Sequence, residues 1–351
     1  MHLSSRPFTV HKKVPLTISR GTTASSTNLW VQIQTEPADP VMGWGEASPF
    51  SIGEMTQTAE AITADLDRLA KALIPYHPLE RQAVEAVLDD LQPCSAARAA
   101  VDTALWDWLG QQVGLPLWQL WGLDLARIGP TAVTVGINSP AGACDRLRQW
   151  CRQLSVRSVK IKLGSPAGIA VDRAMFTALQ SQIPSGAKVS IDANGGWSLS
   201  DAIAMADWLA ERGVIYLEQP LARGEEVSLG KLRSRLPVFL DESCFTSHDI
   251  PTLAGYADGV NIKLMKAGGL SEARRMIETA RACGLQVMFG CYSDSAIANT
   301  ALAQLSPLAD HLDLDSHLNL KDDPFFGARL QAGCLIPSAK AGLGVTHTAS
   351  G

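Results

Sequence analysis

Apolar runs alternate with amphipathic stretches from about residue 130 onward. Eight short runs rich in β-branched residues recur at intervals that would hold one strand, one helix and two short loops. The stretches between them, such as LSDAIAMADWLAERG and LSEARRMIETARACG, end on a glycine, where a helix C-cap is expected. The runs lie at residues 131–137, 158–163, 188–192, 214–218, 238–241, 259–263, 285–289 and 311–315.

This alternation predicts an α/β protein. Parallel strands joined by crossover helices, repeated eight times, form a (β/α)8-type (modified TIM) barrel. A doubly wound open sheet also takes alternating units, but it rarely continues for eight evenly spaced ones, and no G-x-G-x-x-G motif follows a strand. We therefore predict a catalytic barrel domain over residues 126–320.

The residues before the barrel have a different pattern. Two extended segments, FTVHKKVPLTI and NLWVQIQT, flank a polar stretch from Gly21 to Thr27, which predicts an antiparallel hairpin with that stretch as its loop. Residues 57–121 are rich in Ala and Leu at helical spacing. These features predict an α+β N-terminal capping domain over residues 1–125. The C-terminal segment, residues 321–351, has no clear period and is expected to pack back on the capping domain.

Composition and charge narrow the class of partner. The chain has 351 residues, of which 19% are charged, and a formal net charge of -5. Because nucleic-acid and membrane-surface binders need a clustered basic face, we expect neither partner and favour a small-molecule substrate. No stretch has the length and hydropathy of a signal-peptide core or a membrane span, so we expect neither export nor membrane insertion. The 7 cysteines form no C-x-x-C pair, which is typical of a cytoplasmic protein. A homo-oligomer is compatible with the sequence.

Three carboxylates follow consecutive apolar runs. Asp192, Glu218 and Asp241 stand where three neighbouring strands end, and in a barrel these ends surround the active site. Three close anions repel one another unless a cation neutralises them, and ligand sets made only of oxygen favour Mg²⁺. The alternative is that each carboxylate caps the helix after its strand.

Lysines provide the second chemical signal. Lys160 and Lys162 alternate with apolar residues on the second strand and share one face, which points into the barrel; an edge strand in contact with solvent would show the same alternation. Lys266 lies four barrel units further on and is expected to face Lys162 across the cavity, whereas Lys263 is expected to be structural. Two amines on opposite sides of a substrate can remove and return a proton beside a carboxylate and so invert a stereocentre.

The motifs KIKLG, IDANGGW, LEQP, DES, KLMKAGG and GCYSDS resemble the muconate-lactonizing subgroup of the enolase superfamily, and GWGEASPF with AARAAVDTALWDWLG resembles its capping domain. The resemblance implies proton transfer through a metal-stabilised enediolate. The roles that it implies are Mg²⁺ ligands for Asp192, Glu218 and Asp241, an acid/base pair for Lys162 and Lys266, and help to the substrate carboxylate for Lys160.

Within that subgroup the segment HLDLDSHL resembles the dipeptide epimerases. Its D-x-D pair, Asp313 and Asp315, is then expected to bind the free α-ammonium group of the substrate, and strand alternation would put both on one face. The alternative is a polar strand end whose carboxylates cap a helix.

Two further residues are expected to contact the substrate. These are Asp294, which with Tyr292 stands where relatives commonly have a glutamate and a methionine, and Thr23 in the specificity loop. Relatives acting on Ala-Glu carry an arginine near that loop, and only Arg20 lies close, so we expect a neutral or apolar second residue.

We therefore expect a Mg²⁺-dependent isomerase that inverts the α-carbon of the C-terminal residue of an L,L-dipeptide. The alternative is an o-succinylbenzoate synthase or a muconate-type cycloisomerase on the same scaffold. A third interpretation is a barrel that binds a ligand without turning it over. A free amine on the substrate separates the first from the second, because only the first uses Asp313 and Asp315.

Overall fold

The N-terminal part is an antiparallel sheet packed on helices. The computed structural model describes residues 1–37, 39–232 and 234–348. Strands β1, β2 and β3 form the sheet in that order, and β4 pairs with β5. The elements are β1 (His2–Ile18), β2 (Gly21–Gln34), β3 (Gly43–Ala47), β4 (Phe50–Ile52), β5 (Met55–Gln57), α1 (Ala59–Ala72), α2 (Arg81–Leu91), α3 (Ser95–Val113) and α4 (Leu117–Leu120).

The hairpin β1–β2 is longer than predicted. Its turn falls at residues 19–20, and the polar stretch expected to be a loop is the first half of β2. That expectation was wrong because the polar side chains bond across the strands: the Oγ1 atoms of Thr17 and Thr22 lie 2.8 Å apart, and those of Thr9 and Thr27 lie 3.0 Å apart. The hairpin therefore reaches as an arm toward the barrel.

Helix α3 packs directly on β3. A Cβ atom added to Gly45 would lie 1.9 Å from the carbonyl oxygen of Ala100, so only glycine permits this approach. The long helix buries alanines along this contact, including Ala96, Ala100 and Ala104. The small residues of GWGEA and AARAA thus join the sheet to the helical layer.

Eight parallel strands follow in chain order and form the predicted barrel. The parallel bridge between Thr131 and Leu312 joins the first strand to the last and closes the ring. The strands are β6 (Val133–Val135), β7 (Ser158–Lys162), β8 (Lys188–Asp192), β9 (Val214–Glu218), β10 (Val238–Leu240), β11 (Gly259–Lys263), β12 (Gln286–Gly290) and β13 (His311–Leu312).

The last strand is shorter than predicted. It ends at Leu312, and a 3-10 helix, Ser316–Asn319, begins soon after it. Asp313 and Asp315 therefore lie beyond the strand, and the alternation argument does not apply to them.

Helices cover the outside of the barrel. Three of them, α8, α9 and α10, have a single turn each, and α10 begins directly after β11. They are α5 (Pro140–Gln153), α6 (Ile169–Gln180), α7 (Leu199–Ala210), α8 (Glu226–Leu229), α9 (Ile250–Leu253), α10 (Leu264–Ala267), α11 (Leu270–Ala282) and α12 (Ala296–Ala303). Among the described residues, no helix combines the length and hydropathy that a membrane span requires.

The C-terminal segment contains four short strands. Strand β14 pairs with β17, and the ring of Phe325 on β14 lies 5.2 Å from that of Phe8 and 5.1 Å from that of Trp30 on the N-terminal sheet. The strands are β14 (Phe325–Phe326), β15 (Arg329–Gln331), β16 (Cys334–Ile336) and β17 (Thr346–His347). Residues 349–351 of the predicted segment lie outside the described residues.

A buried carboxylate ties the N-terminal sheet to the barrel. Glu46 on β3 accepts hydrogen bonds from the backbone N–H of Ser295 (2.9 Å), from its hydroxyl (2.6 Å) and from the backbone N–H of Ala298 (3.0 Å). These donors lie at the N-terminus of α12, where a carboxylate is favourable. Burial raises the pKa of Glu46 to about 7. The contact holds the loop before α12, residues 291–295, at the mouth of the barrel.

Candidate active site

Three carboxylates end adjacent strands of the barrel. Asp192 and Glu218 are the last residues of β8 and β9 and are partners in the parallel register, and Asp241 directly follows β10. Each side chain is at most 1% exposed, and one carboxylate oxygen from each lies within 4.8 Å of the others. The structure therefore brings the three predicted metal ligands together.

Buried amines neutralise part of this charge. Nζ of Lys162 lies 2.5 Å from Oδ2 of Asp192, and Nζ of Lys263 lies 2.6 Å from Oδ2 of Asp241. Burial and then the charge of Asp192 raise the pKa of Glu218 to about 7. Burial also opposes ionisation of Asp241, but its two neighbouring lysines outweigh burial and lower its pKa.

The donor set fits a divalent cation. Mg²⁺ binds carboxylate oxygens and leaves its other positions to water and substrate. The raised pKa of Glu218 means that burial beside Asp192 disfavours its charged form, and a cation between the carboxylates would remove that cost. Asp192, Glu218 and Asp241 are therefore the residues that would hold Mg²⁺.

Two adjoining cavities open beside the carboxylates. The larger has a volume of about 720 Å³ and lies between the β1–β2 hairpin, the β4–β5 hairpin and the barrel. The smaller, of about 70 Å³, lies between β1 and the ends of the first and last barrel strands. Both are lined by Lys12, Leu16, Lys162, Cys291 and Tyr292.

The second amine at the cavity is Lys263. It lines the larger cavity, as Lys162 does, whereas Lys266 lines neither and is 1% exposed. Nζ of Lys266 instead contacts Oδ1 of Asp241 (2.6 Å) and the carbonyl oxygens of Asp241 (2.5 Å), Cys244 (2.8 Å) and Asn261 (3.1 Å). The structure thus contradicts the expected placement, because Lys266 on α10 turns back beneath the strand ends and its donors are saturated.

The predicted ammonium-binding pair lies at the smaller cavity. Asp313 and Asp315 both line it and are both 6% exposed. Oδ2 of Asp313 lies 2.7 Å from Nζ of Lys160, and Oδ2 of Asp315 accepts from the backbone N–H of Thr134 at 2.7 Å. Burial and the charge of Asp313 raise the pKa of Asp315 to about 6. The two carboxylates share one end of the site.

Lys160 is completely buried. Its Nζ bridges Asp313 and Oε2 of Glu218, the latter at 2.5 Å, and it lines neither cavity. The contact between the metal ligands and the D-x-D pair therefore runs through this amine. Its role toward the substrate carboxylate stays a prediction.

Of the two other predicted contacts, only Thr23 lines a cavity. It does so from β2, together with Thr22. Asp294 is 2% exposed and lines neither cavity; its Oδ2 accepts from the backbone N–H of Tyr292 at 3.1 Å. The ring of Tyr292 is the group at the cavity, stacked on Phe50 with centroids 4.6 Å apart and 4.5 Å from Nζ of Lys263.

The sequence did not identify Lys12 as a residue that lines both cavities, and it did not predict the ion pair between Arg20 and Glu242. Nη1 of Arg20 donates to Oε1 of Glu242 (2.7 Å) and to the carbonyl oxygen of Asn194 (2.9 Å). Lys12 faces inward two residues after the buried Val10, so strand alternation along β1 carried the signal.

Comparisons with known proteins agree with this site. Residues 4–122 match the model of the mandelate racemase/muconate lactonizing enzyme N-terminal domain, and residues 143–350 match the enolase C-terminal domain-like model. A hydrophobic dipeptide epimerase from a Flavobacteria bacterium is 43% identical over 98% of this chain and 97% of its own. One from Roseobacter litoralis is 44% identical over 95% of each chain.

A solved structure has the same fold. The dipeptide epimerase from Enterococcus faecalis complexed with Mg and the dipeptide L-Leu-L-Tyr superimposes with a TM-score of 0.91, at 30% identity, over 99% of each chain. The barrel, its carboxylate triad and both matched domain models lead to one conclusion. The chain belongs to the mandelate racemase/muconate lactonizing enzyme family of the enolase superfamily.

Proposed function

We propose that this protein is a Mg²⁺-dependent dipeptide epimerase, an isomerase that inverts the α-carbon of the C-terminal residue of an L,L-dipeptide. The observation that carries the proposal is the pair of amines, Lys162 and Lys263, that line one cavity beside the carboxylate triad. The similarity to the hydrophobic dipeptide epimerases of the Flavobacteria bacterium and Roseobacter litoralis supports the activity. The Enterococcus complex supports both the metal and the substrate class.

The two amines are placed for proton transfer on opposite faces of one carbon. Strands β7 and β11 are four positions apart in an eight-stranded ring, so Lys162 and Lys263 approach the cavity from opposite sides. One lysine accepts the α-proton, and the other delivers a proton to the opposite face. When bound, Mg²⁺ supplies positive charge beside the substrate carboxylate as the α-proton leaves.

The carboxylates of Asp313 and Asp315 bind the substrate ammonium group. Both line the smaller cavity, which adjoins Lys162. A desolvated cation needs an anionic partner, and Asp315 has an oxygen to offer beyond the one bonded to Thr134. This places the N-terminal half of the dipeptide in the smaller cavity and its C-terminal side chain in the larger one.

The second residue of the substrate is neutral or apolar. The nearest cation of the specificity loop, Arg20, is already paired with Glu242. The larger cavity offers Thr22, Thr23 and the stacked rings of Phe50 and Tyr292 instead. An acidic side chain would find no free counter-charge on this loop, whereas an apolar one would lie against the two rings.

No observation favours the o-succinylbenzoate synthase or muconate-type cycloisomerase alternative, since neither uses an ammonium-binding pair. We also propose that the chain divides into a cap (residues 1–125), a barrel (126–320) and a C-terminal segment (321–351); the two matched domain models support the division between cap and barrel. The cysteine pattern supports a cytoplasmic location, and a homo-oligomer is compatible with the proposal.

A dipeptide library in D₂O tests this function. Each L,L-dipeptide is incubated with the protein and Mg²⁺, and its mass is measured over time. Dipeptides with an apolar C-terminal residue are expected to gain one deuterium, and chromatography should show the L,D epimer. A protein without both Lys162 and Lys263 is the control. Absence of deuterium uptake across the library would contradict the proposed function.

A further inference from the structure

A buried lysine of the N-terminal sheet points into the substrate cavities. Lys12 on β1 is 5% exposed, and it lines both the larger and the smaller cavity. In the part of the chain that the structure describes, its Nζ makes no hydrogen bond or ion pair. Nζ is accessible from the cavities, so its N–H donors are free to bond to a substrate that enters there.

The surroundings of Lys12 are charged on both sides. Burial lowers the pKa of Lys12, while Cys291, Asp315 and Asp294 oppose the shift and Arg146 adds to it. Oδ1 of Asp294 is itself buried without a hydrogen-bond partner among the described residues. The amine therefore lies between carboxylates that favour its charged form.

Cationic side chains outnumber carboxylates around the smaller cavity. Lys12, Arg146 and Lys162 line it together with only Asp313 and Asp315, the pair that receives the α-ammonium group of a dipeptide. A second positive charge on the first side chain would meet Lys12 with no carboxylate left to neutralise it.

We propose that Lys12 is a specificity-determining residue that donates a hydrogen bond to the peptide carbonyl oxygen of the dipeptide and excludes dipeptides whose first residue is lysine or arginine. This inference rests on the proposed function. With the α-carbon between Lys162 and Lys263 and the ammonium group at Asp315, the peptide group spans the junction of the cavities. Lys12 lines that junction and has donors that no protein group uses.

Two substrates and a matched pair of variants test the proposal. The ratio of kcat/KM for L-Ala-L-Leu to that for L-Lys-L-Leu is measured on the wild type, Lys12→Met, Lys12→Gln and Lys13→Met. Lys13 is the control because it is exposed on the opposite face of β1 and donates to the carbonyl oxygen of Leu318. Removing one nearby charge should lower the ratio at least about tenfold in both Lys12 variants. The ratio should be unchanged in Lys13→Met.

The outcomes separate this inference from the proposed function. If the wild type epimerises no dipeptide, the proposed function fails. If the wild type epimerises L-Ala-L-Leu but the ratio stays the same in folded Lys12→Met, Lys12 does not set specificity. Equal losses on both substrates in both Lys12 variants would likewise overturn the proposal, because a merely structural lysine lowers activity without changing preference. Circular dichroism and thermal unfolding establish that each variant is folded.

Discussion

Removing Lys263 and removing Lys266 should have different consequences, although both amines contact Asp241. Lys263→Ala deletes a group at the cavity, so epimerisation should fall by about 10²- to 10⁴-fold, the usual contribution of a general acid or base. Its effect on stability should be smaller than that of removing Lys266, because Lys263 lines the cavity and water entering its place can hydrate the oxygen of Asp241 that loses its partner.

Lys266→Met should instead act on the fold. The variant leaves four buried acceptors without their donor, among them an ionised oxygen of Asp241. Breaking a buried pair of this kind costs about 3–5 kcal/mol of unfolding free energy. Because the carboxylate left behind is a metal ligand, the remaining activity should be low but its stereochemical course unchanged.

The assay is exchange of the α-proton in D₂O, followed by NMR from each epimer separately. Lys162→Ala and Lys263→Ala should each exchange only one epimer, and not the same one, since the surviving amine reaches its own face. Lys266→Met should exchange both epimers slowly, and urea unfolding should report its lost stability. Exchange of both epimers by Lys263→Ala, with exchange of one by Lys266→Met, would refute the assignment.

Three further outcomes are expected. Asp315→Asn should lower kcat/KM for free dipeptides by about 1.5–3 kcal/mol, the range for hydrogen bonds to charged groups, and should affect N-acetylated dipeptides far less; equal losses on the two would show that the carboxylate is structural. Excess chelator should abolish turnover, and Glu218→Gln should lose activity even with added Mg²⁺; full turnover in chelator would contradict the metal site. Burial against the rings of Tyr216 and Phe239 lowers the pKa of His311 from 6.5 to about 4, so the unfolded chain binds more protons as pH falls between these values. About 3 kcal/mol of unfolding free energy should be lost over that interval. Urea unfolding at pH 7 and at pH 4.5 should show a smaller loss between the two pH values for His311→Phe than for the wild type; equal losses would contradict this account.

The barrel and its carboxylate triad were predictable because each strand is a short apolar run that ends in a charged residue. Asp192, Glu218 and Asp241 take their places from strand order alone. Position along the chain also predicted that Lys266 would face Lys162 across the cavity, whereas it is Lys263 that lines the cavity. Helix α10 starts immediately after Lys263, and a single helical turn carries Lys266 back beneath the strand ends, which no strand periodicity reports.

The β1–β2 hairpin was harder to predict, because its length also depends on contacts that strand periodicity does not report. Polar residues between two apolar segments usually indicate a loop, and the pairing of threonines across strands depends on register, which composition does not contain. The predicted end of β13 was wrong for a similar reason. The D-x-D pair follows the strand, and a backbone N–H of the first barrel strand holds Asp315 there. Such contacts join segments far apart in sequence.

The β1–β2 hairpin separates two kinds of evolutionary change. Lys12 and Thr23, which line the cavities, are encoded within the first 34 residues, whereas the lysines proposed to transfer the proton and the metal ligands come from barrel strands more than a hundred residues later. A mutation or recombination event confined to the start of the gene can therefore change which dipeptides enter without altering the groups that move the proton. Because Glu46 anchors this sheet to α12, an altered hairpin would still be presented to the same catalytic centre. Enzymes built in this way can acquire new substrates while they keep the same reaction.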